Sequence, residues 1–173
     1  SATIGNLVEA MEVLLGNDAA NEKSIVIRSS GKKNMEIHTV LPTSIEVLPW
    51  SGHIGLKLLP EIVNIIRSSQ TTLVFTNTRA MAEIWYHHIL NYDENLAGLL
   101  AMHHGSLSGE VRDWVEENLH AGTLKAVICT SSLDLGVDFR PVDTVIQIGS
   151  PKGVARFTQR AGRSGHQPGA VSK

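Results

Sequence analysis

The sequence predicts an α/β fold, a parallel sheet with helices on both faces, and three observations carry that prediction. From residue 71 onward, short apolar runs alternate with segments of helical period, which is the order of βαβ units. The runs Leu73-Val74-Phe75 and Ala126-Val127-Ile128-Cys129 lack polar alternation, as strands covered on both faces by crossover helices should. The residues after each run are small, polar or basic, and ligands of open α/β sheets bind beyond the carboxyl ends of the strands.

In chain order, Ile4 to Leu15 reads as one amphipathic helix stopped by Gly16. Ser24 to Arg28 and a Gly-Lys-Lys turn follow, and then Met35 to Leu41, whose alternation suits the first strand of the sheet. Beyond the loop Trp50-Ser51-Gly52-His53, Pro60 opens a helix running to about Arg67. Thr71 to Thr76 is the next strand, and Ala80 to Tyr92 a helix with the stripe Met81, Ile84, Trp85, Ile89 and Tyr92. Leu99 to Met102 is a further strand. Ser108 caps a helix to Ala121, stopped by Gly122, with the stripe Val111, Trp114, Val115 and Leu119. Both stripes read as core. Leu124 to Cys129 and Val142 to Ile148 are strands, Gly153 to Ala161 is a helix, and an incipient strand starts at Gly169.

The 173 residues suit one domain with a sizeable core, at 42% hydrophobic and 18% charged. Fifteen basic against seventeen acidic side chains give a formal charge of -2, so a nucleic acid would have to be met by local patches. No apolar run approaches the roughly 20 residues of a membrane span, and no basic-then-apolar leader is visible, so the chain reads as cytoplasmic with no membrane partner. The single cysteine, Cys129, reads as a buried strand residue.

The chemistry concentrates in two places. Arg156, Arg160 and Arg163 fall at i, i+4 and i+7, one face of the last helix, and a planar guanidinium matches phosphate oxygens bidentately. The loops after the strands are Thr76-Asn77-Thr78-Arg79, His103-His104-Gly105-Ser106, Thr130-Ser131-Ser132-Leu133-Asp134 and Gly149-Ser150-Pro151-Lys152. Their hydroxyls, main-chain N–H groups and helix starts are the groups that contact a nucleic-acid backbone, although any one Ser or Thr also suits an N-cap. The four loops are therefore the candidate nucleic-acid contacts, with His104 and Gly105 starting a main-chain-lined loop among them. His87-His88 and His103-His104 lack partners at metal-ligand spacing. A triad of Ser131, His103 and Asp138 lacks the G-x-S-x-G turn, and a dinucleotide fold lacks G-x-G-x-x-G.

Ser1-Ala2-Thr3, Thr72 to Arg79, Val127 to Phe139 and Gln159 to His166 resemble helicase motifs III, IV, V and VI, in order. Together they resemble the second RecA-like domain of a superfamily 2 DEXH-box helicase. Trp50-Ser51-Gly52-His53-Ile54-Gly55 and Gln159 to Gly169 are similar to the Lhr group, ligase-associated branch. The resemblance implies a RecA-like parallel sheet at 34–173, with 1–33 as motif III remnant and interdomain linker. It implies ATP with Mg2+, bound mainly by an N-terminal RecA-like domain of the same polypeptide. It implies Arg163 as the arginine finger, with Gln159, Arg160 and His166 beside it, and Gly136, Asp138, Arg163 and His166 toward the nucleotide. It implies Thr76, Asn77, Thr78, Arg79, Thr130 and Ser131 as contacts to the nucleic-acid strand, and single-stranded DNA or a DNA-containing duplex, DNA repair proteins and 3′ to 5′ movement are further implications.

With no P-loop and no DExH strand end in the sequence, the chain reads as a segment of a longer polypeptide that does not hydrolyse ATP alone. The alternative is a passive nucleic-acid-binding α/β module. Aromatics at 5%, with Trp85 and Trp114 on helix stripes, leave few candidates for base stacking.

Overall fold

The computed structural model describes residues 6–16, 27, 35–41, 55–134 and 142–164. Helix α1 (Leu7–Leu15) begins where the Asn6 side chain accepts the Glu9 N–H and ends at Gly16, whose φ is 59°. Helix α2 (Leu59–Ser68) carries Pro60 in its first turn, where the missing N–H has no intrahelical partner to lose. There follow β1 (Thr72–Phe75), α3 (Arg79–Tyr92), β2 (Leu100–His103), α4 (Gly109–Ala121), β3 (Ala126–Cys129), β4 (Thr144–Gln147) and α5 (Val154–Ala161). Thr78 and Ser108 cap α3 and α4 through their hydroxyls, and Gly122 stops α4 in the left-handed region.

The four strands among the described residues are parallel in the order β2-β3-β1-β4. Period-two alternation sends neighbouring side chains of each strand to opposite faces. Leu100, Ala126, Ile128 and Val74 pack with Ile62, Val63 and Ile66 of α2 and with Ala82, Trp85 and Ile89 of α3. Ala101, Val127, Cys129, Leu73 and Phe75 pack with Val115 and Leu119 of α4. The sheet is thus covered on both faces, which is why its strands read as unbroken apolar runs. Register sets His103, Cys129, Phe75 and Gln147 side by side, so the loops that follow these residues emerge together along one rim.

Two expectations differ from the structure. Met35 forms only an isolated bridge and residues 36–41 are not strand; the segment instead lines a groove of about 790 Å3 with β4 and α2. Alternation supplies an apolar face but not a hydrogen-bonded neighbour, and a strand needs both. The α4 stripe is also wider than its contact with the sheet: Val115 and Leu119 are buried, while Val111 is 45% and Trp114 52% exposed. Tyr92, at the end of the α3 stripe, is half exposed for the same reason. The expected turn at residues 31–33, the loop at 50–53 and the strand from residue 169 lie outside the described residues.

Trp85 is 1% exposed in the α2–α3 core. Trp85→Ala is expected to destabilise the fold by about 3–5 kcal/mol in denaturant unfolding through the cavity left behind. Trp114→Ala is expected to stay within about 0.5 kcal/mol of the parent.

Candidate nucleic-acid and nucleotide interface

The arginine face of α5 converges on one carboxylate. Asp134, next after the 3-10 turn Ser131–Leu133, accepts Arg160 Nε on Oδ1 at 2.7 Å and Arg160 Nη2 on Oδ2 at 3.3 Å. Arg156 Nε lies 3.5 Å from Asp134 Oδ2, and Arg163 Nη2 donates to the Asp134 main-chain oxygen at 2.6 Å. Arg160 also donates from Nη1 to Gln147 Oε1 at 2.7 Å, with its guanidinium 4.6 Å from the Phe75 ring centroid. A buried guanidinium is tolerated only when its donors are satisfied, and these partners satisfy it.

The arginine face therefore divides. Arg160, 2% exposed, points into the fold, so the structure places this candidate catalytic residue as an internal clamp between α5, β4 and the loop after β3. Arg163 and Gln159 are half-buried and stand four residues apart, on one side of the last turn. Arg156 is exposed. Three guanidiniums around one carboxylate leave an excess of positive charge at this end of α5. The turn after α5 is tight: a Cβ at Gly162 would lie 3.0 Å from Thr158 O and 3.2 Å from Gln159 O. Gly136, Asp138 and His166 lie outside the described residues.

The rim loops are tied to one another. Asn77 Nδ2 donates to Ser150 O at 2.9 Å, linking the loops after β1 and β4. At Gly149, whose φ is 75°, a Cβ would come within 3.2 Å of that same Asn77 nitrogen. Arg79 Nη1 donates to Ser106 Oγ at 3.0 Å, linking the loops after β1 and β2. Thr76 is buried, its hydroxyl set between Cys129 O and Thr78 O, and the Thr78 hydroxyl accepts Met81 N–H. These two side chains shape the loop. Arg79, Gly105 and Ser131 are exposed, and Asn77 and Thr130 half-buried. His104 is 4% exposed, with no hydrogen-bond partner on either ring nitrogen and Glu83 Oε1 at 3.8 Å. It borders a groove of about 660 Å3 with Arg79, Glu83 and Ser106.

His103, at the end of β2, is 1% exposed. Its Nδ1 lies 2.7 Å from Ser132 Oγ and its Nε2 3.0 Å from Glu116 Oε1. Burial pushes its pKa below the ordinary value, the Glu116 carboxylate opposes this, and Arg112 and His104 add to the lowering. This serine-histidine-glutamate chain is not a nucleophilic triad, because the Ser132 hydroxyl already donates to His103 O at 2.9 Å. Burial pushes the Cys129 thiol well up, which makes it inert. Among the described residues no group of His, Cys, Asp or Glu is arranged to hold a metal ion.

Sequence reasoning located the loops but missed Asp134, Gln147, Glu116 and Ser132 as partners. Asp134 and Arg160 are 26 positions apart, and His103 and Glu116 are 13 apart. No local spacing joins them. Only an acid directly after the Ser-Ser-Leu turn hinted at a charge partner for the arginine face.

The parallel sheet, with its rim loops and the arginine-faced helix after them, has the RecA-like fold. The helicase conserved C-terminal domain family matches residues 54–167, and the chain belongs to it. The chain is 38% identical over 177 residues to the ATP-dependent helicase Lhr-Core of Sulfolobus acidocaldarius, and 37% identical over 175 residues to Lhr-Core protein 2 of Thermococcus barophilus. Both alignments cover 100% of the chain and 20% of the relative, so the chain spans about a fifth of their length. The structure of Mycobacterium smegmatis helicase Lhr bound to ssDNA and AMP-PNP superposes with a TM-score of 0.70 at 33% identity, covering 84% of this chain and 19% of that one.

Asp134→Ala would leave the buried Arg160 guanidinium without its carboxylate, and is expected to cost about 3–5 kcal/mol of stability in chemical denaturation. Arg156→Ala, which removes an exposed member of the cluster, is expected to cost less than about 1 kcal/mol.

Proposed function

We propose that this chain is the C-terminal RecA-like half of an ATP-dependent DNA helicase of Lhr type that moves 3′ to 5′. Residues 34–173 form the domain and 1–33 the connection to the ATP-binding half. The observation that carries the reading is Arg163, held through the Asp134 main chain at the end of α5 while Arg160 beneath it is locked into the fold. A finger works only if its charge arrives in position without reorganisation. A guanidinium anchored through the Asp134 main chain at an arginine-rich helix end meets that requirement.

The cationic and amide donors at Arg163 and Gln159 fit phosphate oxygens, and Gly136, Asp138 and His166 complete the nucleotide-facing set. ATP supplies the free energy of closure and hydrolysis when bound with Mg2+, mainly on the N-terminal half. Arg163 neutralises charge developing on the terminal phosphoryl group, and Gln159 orients an oxygen beside it. Arg160 acts through Asp134 and Gln147 as a positioning residue. Asn77, Arg79, His104, Gly105, Thr130 and Ser131 hold the strand backbone, on loops shaped by Thr76 and Thr78. Because the grip and the finger share one rigid sheet, cleft closure displaces the grip relative to the other half, which is a step along one strand.

Exposed Trp114 restores one stacking candidate to a passive binder, and the finger separates the two readings. In the full-length protein, Arg163→Ala is expected to abolish DNA-stimulated ATP turnover while single-strand affinity changes less than about threefold. Equal loss of both would support the passive module. Strand displacement on tailed duplexes of both polarities is expected to proceed only from the 3′ tail, and displacement from the 5′ tail would overturn the assigned direction.

A further inference from the structure

We propose that His103 and Glu116 share a bound proton that braces the loop carrying Thr130 and Ser131, so that the strand grip tightens as pH falls. The role of these hydroxyls rests on the function proposed above; the shared proton rests on hydrogen-bond bookkeeping alone.

The bookkeeping starts from a main-chain oxygen. His103 O can only accept, and Ser132 Oγ lies 2.9 Å from it, so the single hydroxyl proton of Ser132 points there. Ser132 Oγ is then an acceptor toward His103 Nδ1 at 2.7 Å, and Nδ1 must carry a proton. A neutral imidazole protonated on Nδ1 presents a lone pair at Nε2. Yet Nε2 faces a carboxylate oxygen, Glu116 Oε1, at 3.0 Å. Two lone pairs at that distance repel, so one further proton belongs between them. With it, the His103 ring and its Glu116 partner hold one proton more than the neutral ring does.

The brace reaches the grip directly. His103 O also accepts the Thr130 N–H at 3.2 Å, so one residue holds Thr130 and Ser132 of the loop through its carbonyl and its ring. Glu116 on α4 anchors the other side of the ring. Its side chain is 33% exposed, so on losing the proton it can turn to water and release the ring from α4. The other groups facing the ring are Arg112 on α4 and His104 next after β2, both opposing protonation, and on β3 the buried Cys129 thiol, which stays neutral. Relative to the open arrangement, the Glu116 contact raises the proton affinity of His103. The brace is therefore complete below the closed-state midpoint and is lost as pH rises through it, while burial keeps that midpoint below the ordinary histidine value.

The test uses Glu116→Gln, whose amide can donate to Nε2 and so satisfy a neutral ring, and Ser132→Ala, which frees the ring to protonate Nε2 instead of Nδ1. Ring 15N shifts of His103 in the 173-residue chain, titrated without DNA, are expected to show both nitrogens protonated at the acidic end, with a lower midpoint in Glu116→Gln. Anisotropy with a labelled oligothymidylate at constant ionic strength is expected to show parent affinity rising with acidification by up to about tenfold per pH unit. Both variants should show a flatter slope, with circular dichroism confirming that each is folded. An unchanged His103 midpoint in Glu116→Gln would overturn the shared proton. A moved midpoint with identical slopes in parent and variants would overturn its coupling to the grip. Absence of oligothymidylate binding at every pH would sink the strand grip itself and the coupling with it, while the ring titration still decides the proton.

Discussion

The pairing of Arg160 with Asp134 beneath the face of Phe75 is the constraint on which the rest of this site depends. It joins the loop after β3 to the last described helix, and through Gln147 it includes strand β4. A guanidinium and a carboxylate removed from water are costly separately and tolerable together. The fold therefore holds α5 in the one orientation that keeps them in contact. That orientation leaves Gln159, in the last turn of α5, and Arg163, just beyond its end, half-buried.

The rim follows the same logic on a larger scale. Parallel register brings four strand ends level, and short polar bonds then lace the emerging loops together: Asn77 to Ser150, Arg79 to Ser106, and His103 to Ser132. Loops tied in this way move with the sheet. The function proposed above would gain from such rigidity, since displacement of one surface is then displacement of the other.

Much of the architecture was legible in the residues. Unbroken apolar runs at 73–75 and 126–129 marked strands covered on both sides, Ser108 and Gly122 marked the ends of α4, and the small polar residues after each strand marked the rim. The segment 35–41 misled because alternation describes a face and says nothing of a pairing partner. Trp114 misled because a stripe read at helical spacing is wider than the contact a helix makes with a flat sheet. In the site, the arginine face was visible as a period, but its division was not. Whether a given arginine turns inward depends on a carboxylate 26 residues earlier.

By itself the sequence determined local order, because capping, glycine φ and side-chain periodicity act over a few residues: which segments are helix or strand, where they stop, and which charges share a helix face. Tertiary structure alone decided the partners. Arg160 turns inward because Asp134 and Gln147 meet it there, and the His103 ring lies between Ser132 and Glu116 because β2, α4 and the loop after β3 converge on it. Burial is the physical reason. It makes an unpaired charge or a misplaced proton costly, and it is a property of the assembled sheet and its layers rather than of any stretch of chain.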